Sequence, residues 1–178
     1  MKDTELRIII ELLKDSRRSD REIARKVGVS QPTVTRMIKK LKSEGYIKEF
    51  TIIPDFSKLG FEIMSIILSD VREKTTEREM EDTREKIRNE QKENPNALLF
   101  GYTGMGLNST RASILLAKNY SELSSFNSLA RNHPLVKVDS IRSFDISLVG
   151  ENHYLPLTLS QLAGYLERNL SEMGRKSD

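Results

Sequence analysis

The feature that most limits what this chain can fold into is the short break Gly28-Val29-Ser30 between two amphipathic helical patterns. Before it, Ser19 and Glu22 form an S-x-x-E capping box, and Ile23, Ala24 and Val27 supply the apolar side of a helix of about two turns. Gly28 ends that helix as a left-handed C-cap and Val29 plugs the corner. The Ser30 hydroxyl caps the next helix, where Pro32 is tolerated because its missing N–H falls in the first turn. Two helices joined by so short a turn cross at a steep angle. Ahead of them, Asp3 or Thr4 caps a first helix whose Leu6, Ile9, Ile10 and Leu13 recur at i, i+3, i+4 and i+7 and can fill that angle. The pattern is helix-turn-helix.

The third helix carries the chemistry. Val34, Met37, Ile38 and Leu41 lie on one side at helical spacing, while Arg36, Lys39, Lys40 and Ser43 point the other way. Its positive N-terminal end presents Ser30, Gln31, Thr33 and Thr35, small polar groups suited to phosphate oxygens and base edges. A basic helix face is more often a solvated surface than a ligand site. The flanking residues shift that balance, because Arg17, Arg18 and Arg21, with Arg25 and Lys48, surround the helix as a phosphate clamp that fixes register without reading sequence. The expected roles are base contact for Ser30, Gln31, Thr33, Thr35 and Arg36, and phosphate contact for Lys39, Lys40, Arg17, Arg18 and Arg21. Gly45 stops the helix, and the alternation over Tyr46 to Ile53 permits a short strand or wing.

Charge supports the assignment. The net +3 conceals 13 Lys and Arg against 8 Asp and Glu in the first fifty residues, and 16 against 18 in the rest. A basic module followed by a slightly acidic one suits a polyanion at one end and protein or small ligand at the other. The chain has no cysteine, which excludes disulfides, thiolate zinc sites and cysteine nucleophiles, and its two histidines, His133 and His153, are too far apart in sequence to suggest a metal cluster. No cofactor is expected. No apolar run approaches the roughly 20 residues of a membrane span, and the N-terminus lacks signal-peptide features, so the expectation is a cytoplasmic protein with no membrane partner.

Residues 55–61 read as a hinge, dividing a helix-turn-helix DNA-binding domain over 1–54 from an effector and dimerisation domain over 62–150. The second domain begins with an aliphatic strand over Glu62 to Val71. A highly charged helix follows from the Thr76/Glu79 capping box, with Met80, Thr83, Ile87 and Glu90 as its narrow buried stripe, to a stop at Asn94-Pro95-Asn96. Ala97 to Thr103 and Thr110 to Ala117 are strands joined through GMGLNS, a hairpin or wider loop. A helix over Tyr120 to Arg131, broken at His133-Pro134, and a strand over Val136 to Val149 complete the order. Strand, helix, strand, strand, helix, strand is a ferredoxin-like βαββαβ sandwich, giving an α+β protein overall. Beyond it, residues 151–178 hold a last amphipathic helix with Leu159, Leu162, Leu166 and Leu170, flanked by Tyr165 and Met173. That helix is expected either to pack on its own sheet or to add an inter-subunit contact.

The D-x-E-I-A-x-K-x-G-V-S core, the E-G-Y-I that closes the third helix and the P-D-x-x-K-L-G that follows resemble the Lrp/AsnC feast/famine transcriptional regulators, of an archaeal type. With the βαββαβ order behind them, the resemblance covers about residues 3 to 149. It implies sequence-specific binding to double-stranded DNA as a homodimer or higher oligomer assembled through the second domain, without enzymatic activity. It also implies a small effector, such as an amino acid, near the hairpin, where the matching residues are Thr103, Gly104, Met105, Gly106, Leu107 and Asn108. The stretch departs from the family's T-G-x-x-D by lacking an acidic residue after the glycine, so an amine has no expected partner there. Siroheme decarboxylases resemble the same architecture and rely on basic and histidine side chains of the second domain. For that alternative, a ligand sensor or enzyme without specific DNA binding, this chain offers only His133 and His153.

Overall fold

The computed structural model describes residues 2–72, 75–93, 97–133, 135–150, 155 and 157–175, which fall into two compact units. Unit 1 joins Met1–Ile53 with Leu155–Asp178; unit 2 is Pro54–Tyr154. Glu90 as a core position, the helix stop at Asn94-Pro95-Asn96, and Pro134, His153 and Met173 lie outside the residues or side chains described.

Unit 1 contains α1 (Asp3–Lys14), α2 (Asp20–Val27), α3 (Gln31–Ser43) and α6 (Ser160–Arg175). The capping signals read at Ser19, Gly28 and Ser30 close as geometry, whereas α1 already begins at Asp3 with Lys2 as its N-cap, so neither Asp3 nor Thr4 caps it. Ser19 accepts from the Glu22 N–H while the Glu22 carboxylate accepts from the Ser19 N–H at 2.8 Å. Gly28 takes the left-handed conformation at φ 78°, so a side chain there would be strained. Ile8, Ile23, Val34 and Leu41, each 0% exposed, form the centre of the core, with Ala24 beside them and Ile9, Leu12, Val27, Val29, Met37, Ile38 and Ile47 around it.

The α1 stripe divides differently from the sequence expectation. Ile8, Ile9 and Leu12 face α2 and α3, whereas Leu6, Ile10 and Leu13 pack with Ala163, Leu166 and Leu170 of α6. The run I-I-I-E-L-L makes α1 apolar on two sides, and α6 covers the second. Lys14 Nζ ties the two helices through Glu167 at 2.9 Å. The last helix therefore packs on α1, in place of the sheet of its own chain. Tyr46 to Ile53 forms no strand among the described residues. Ile47 anchors it, its N–H donating to the Leu41 carbonyl, and the Lys42 ammonium lies over the Phe50 ring at 5.6 Å, while Phe50 and Ile52 stay exposed with no neighbouring strand to pair them.

Unit 2 opens with a 3-10 turn at Ser57–Leu59, inside the stretch read as a hinge, where the Asp55 carboxylate accepts from the Ser57 hydroxyl at 2.6 Å. Four antiparallel strands follow, β1 (Ile63–Ser69), β2 (Leu98–Gly106), β3 (Ser109–Ala117) and β4 (Arg142–Ser147), in the order β2-β3-β1-β4. With α4 (Glu77–Glu93) after β1 and α5 (Tyr120–Asn132) after β3, this is the ferredoxin-like arrangement. Ile63, Ile67, Leu115, Ala117 and Leu123 form its core, joined by Leu98, Phe126 and Ile141.

Two boundaries move. β2 and β3 run to a two-residue tip, Leu107 and Asn108, at φ 50° and 51°, as a type I′ hairpin requires. The strand expected over Val136 to Val149 shrinks to β4, because Val138–Ser140 forms a 3-10 turn. Buried Ser140 holds that turn: its hydroxyl donates to the Lys137 carbonyl at 2.6 Å and accepts from the Asp70 N–H at 2.8 Å.

Candidate nucleic-acid interface

The exposed side of α3 is assembled from its cap upward. The Ser30 hydroxyl accepts from the Thr33 N–H at 3.4 Å and shares a 2.8 Å hydrogen bond with the Thr33 hydroxyl, fixing the helix start. Ser30, Gln31, Arg36 and Lys39 are exposed and Thr33 is half-buried, while Val34 and Leu41 lock the opposite side into the core. A rigid helix thus offers hydroxyl, amide, guanidinium and ammonium groups along one side, the donors and acceptors that major-groove edges match. Its N-terminal N–H groups and dipole favour phosphate at the same end.

The structure places three of the expected contact residues otherwise. The Thr35 hydroxyl is bonded to the Asp20 carboxylate at the start of α2 and donates to the Gln31 carbonyl at 3.2 Å, so it pins α3 to α2. Lys40 Nζ reaches buried Glu5 of α1 at 2.6 Å and Glu44 at 3.7 Å. The hydrogen bond to Glu5 raises the Lys40 pKa, and the same bond is the first cause that lowers that of Glu5. Arg18 is held by the buried Glu11 carboxylate, which Lys14 also meets at 3.2 Å. Arg17, Arg21 and Lys39 stay exposed and make no ion pair among the described residues. Sequence pattern missed these internal pairs. Glu5 and Glu11 sit among apolar neighbours on α1, and a buried carboxylate demands a cation, which was the available signal.

The hairpin residues Thr103, Gly104, Met105 and Gly106 belong to β2, with Leu107 and Asn108 at the tip. All six are exposed, Met105 at 98%. The tip carbonyls are already engaged. Arg142 Nη2 donates to the Leu107 carbonyl, to the Asn108 carbonyl at 2.7 Å and to the Ser109 hydroxyl at 2.7 Å. Among the described residues no cluster of histidines and carboxylates could hold a metal ion, and no helix is long and apolar enough to cross a membrane.

Comparison with known proteins agrees with this geometry. Residues 1–48 match the winged helix-turn-helix DNA-binding family. The HTH-type transcriptional regulator LrpC of Bacillus subtilis is 43% identical over 74 residues, 42% of this chain and 51% of LrpC, so the sequence match spans about half the length of that relative. In three dimensions the likeness extends further. The solved structure of B. subtilis LrpC superposes with a TM-score of 0.66 at 26% identity, covering 87% of this chain and 99% of LrpC. An AsnC family regulator from Agrobacterium tumefaciens (TM-score 0.67, 16% identity, 91% and 99% covered) shares the fold. So does the Neisseria meningitidis regulator NMB0573, solved with L-Met (0.64, 17%, 91% and 99%). A winged helix-turn-helix over residues 1–48, and a fold shared along most of its length with B. subtilis LrpC and with an AsnC family regulator, are what the chain has in common with these proteins.

Proposed function

We propose that the chain is a sequence-specific DNA-binding transcriptional regulator that acts as a dimer or larger assembly in the cytoplasm. The carrying observation is the exposed row Ser30, Gln31, Arg36 and Lys39, with half-buried Thr33 beside it, on a helix whose other side is anchored in the core by Val34 and Leu41. In this reading Gln31 and Arg36 contact base edges, Arg17, Arg21 and Lys39 contact phosphates, Thr35 and Lys40 act mainly by holding α3 to α2 and α1, and Arg18 by tying the turn before α2 to α1. Assembly is supported by the sheet face turned away from the core. The strand registers put Ile66, Phe100, Tyr102, Ile114, Phe144 and Ile146 together there, with Phe144 67% and Tyr102 59% exposed. Pairing two such faces about a two-fold axis sets two recognition helices at half-sites one helical turn, or a multiple, apart.

A small effector at Thr103 to Asn108 belongs to the same reading, supported by the fold shared with a regulator solved with L-Met. The hairpin supplies no carboxylate to meet the amine of an amino acid. The names of the relatives, all regulators, favour this function over an enzymatic one. Selection of bound genomic fragments, repeated with and without L-methionine, tests it. Enrichment of a repeated half-site is the expected result, and uniform recovery of all fragments contradicts base reading.

A further inference from the structure

Between the sheet and the helices of unit 2 lies a cavity of about 490 Å³, within the range of about 300–1,000 Å³ typical of small-molecule sites. Ile67 and Leu98 of the sheet, Ile87 of α4, Phe126 of α5, and Val136 and Ile141 give it a largely apolar wall. Its charges are all of one sign: Arg84, Arg88 and Arg111 line it, and no Asp or Glu does among the described residues. Arg84 and Arg88 share the Glu81 carboxylate at 2.9 Å and 3.0 Å. Arg111, half-buried on β3, has no carboxylate within bonding distance among the described residues.

Such a cation is costly where it stands. Burial first, and then the charge of Arg84, push the Arg111 pKa down, yet a guanidinium stays protonated in proteins. A partly desolvated charge facing a second cation across an apolar space is relieved by an anion that enters the space. The planar guanidinium fork matches a carboxylate in two parallel hydrogen bonds, and the walls match a hydrocarbon body. Among the described lining residues no acid stands ready to hold an ammonium group.

We propose that this cavity is a binding site for an organic carboxylate with an apolar body, whose carboxylate is held by Arg111 while the body lies among Ile67, Ile87, Leu98 and Phe126. The site meets the hairpin stretch at Thr103, which lines it, and does not depend on DNA binding, since it lies within unit 2.

Octanoate is the probe, with 1-octanol, octylamine and L-leucine as matched controls, titrated into the full chain by calorimetry in the absence of DNA. Octanoate is expected to bind saturably and raise the unfolding temperature, with each control about tenfold or more weaker. Arg111→Met should erase the preference of octanoate over octanol, while leaving the unliganded unfolding temperature unchanged or higher, since an uncompensated cation is replaced by an apolar chain. Arg111→Lys should retain part of the preference. Ile87→Trp, which fills the space from α4, should block binding and stands in if Arg111→Met fails to fold. Absence of saturable octanoate binding, affinity equal to that of octanol, or undiminished preference in Arg111→Met overturns the proposal. DNA binding, measured separately, is unaffected by any of these outcomes.

Discussion

The two units of this molecule differ in where they put their apolar side chains. In unit 1 four large residues, Ile8, Ile23, Val34 and Leu41, are fully enclosed, and the second apolar side of α1 is capped by α6. In unit 2 a cavity remains between sheet and helices, and the outer sheet face shows Phe144 and Tyr102 to solvent. A closed core can hold one helix rigidly toward a groove, and the outward side of that helix, with Ser30, Gln31, Arg36 and Lys39, is polar. The uncovered apolar surface of unit 2 is where the second copy and the small molecule proposed above would sit, on the outer face and within the cavity respectively.

The comparison can be broken most forcefully at the closed unit. Ile8→Ala should cost about 3–5 kcal/mol of unfolding free energy, read by urea denaturation, because the site is enclosed on all sides and cannot collapse. Ile10→Ala, at the seam with α6, should cost about 2–4 kcal/mol by the same mechanism; a loss below about 1 kcal/mol would mean that α6 does not close unit 1. On the open face the opposite behaviour is expected. Phe144→Ala should leave the stability of the isolated subunit within about 0.5 kcal/mol. It should weaken self-association by about 2 kcal/mol, some 30-fold in dissociation constant, measured by sedimentation.

Smaller effects sharpen the contrast. Leu107 holds φ 50° at a tip where it is 77% exposed, so Leu107→Asn removes strain without losing burial and should stabilise unit 2 by about 0.5–1 kcal/mol in thermal unfolding. Glu5 and Glu22 sit below the ordinary glutamate value of 4.5, through hydrogen bonds from Lys40 and from Ser19 respectively. Groups with lowered folded pKa contribute stability that is full above the unfolded value and drains as pH falls through the folded one. Unit 1 should therefore lose stability below about pH 4.5, and Glu5→Gln should flatten that dependence in urea titrations between about pH 3 and pH 7. Lys14 and Lys40, raised by Glu167 and Glu5, contribute stability that is intact below 10.5 and lost as pH climbs past it.

Much of this was legible in the chain itself. The caps at Ser19, Gly28 and Ser30 and the βαββαβ order follow from local signals, because a cap or a period of two is written within a few neighbouring residues. What escaped depended on distant partners. Periodicity shows that α1 has apolar positions but not that two helices compete for them, and Leu6, Ile10 and Leu13 went to α6, about 150 residues away in sequence. The directions of Lys40 and Arg18 were hidden for the same reason. A basic residue on a polar face looks free until the buried acid that claims it, Glu5 or Glu11, is located in space. The cavity was invisible because Arg84, Arg88 and Arg111 converge from a helix and a strand.

The central claim is that the exposed side of α3 reads DNA sequence. Fluorescence anisotropy at one fixed salt concentration, with a selected genomic fragment and a scrambled duplex of equal length, tests it most directly. The unmodified chain should prefer the selected fragment. Arg36→Ala should lose about 1–3 kcal/mol on that fragment and almost nothing on the scrambled one, whereas Lys39→Ala should weaken both alike. Equal affinity of the unmodified chain for the two duplexes, or an Arg36→Ala loss shared equally between them, would contradict the account.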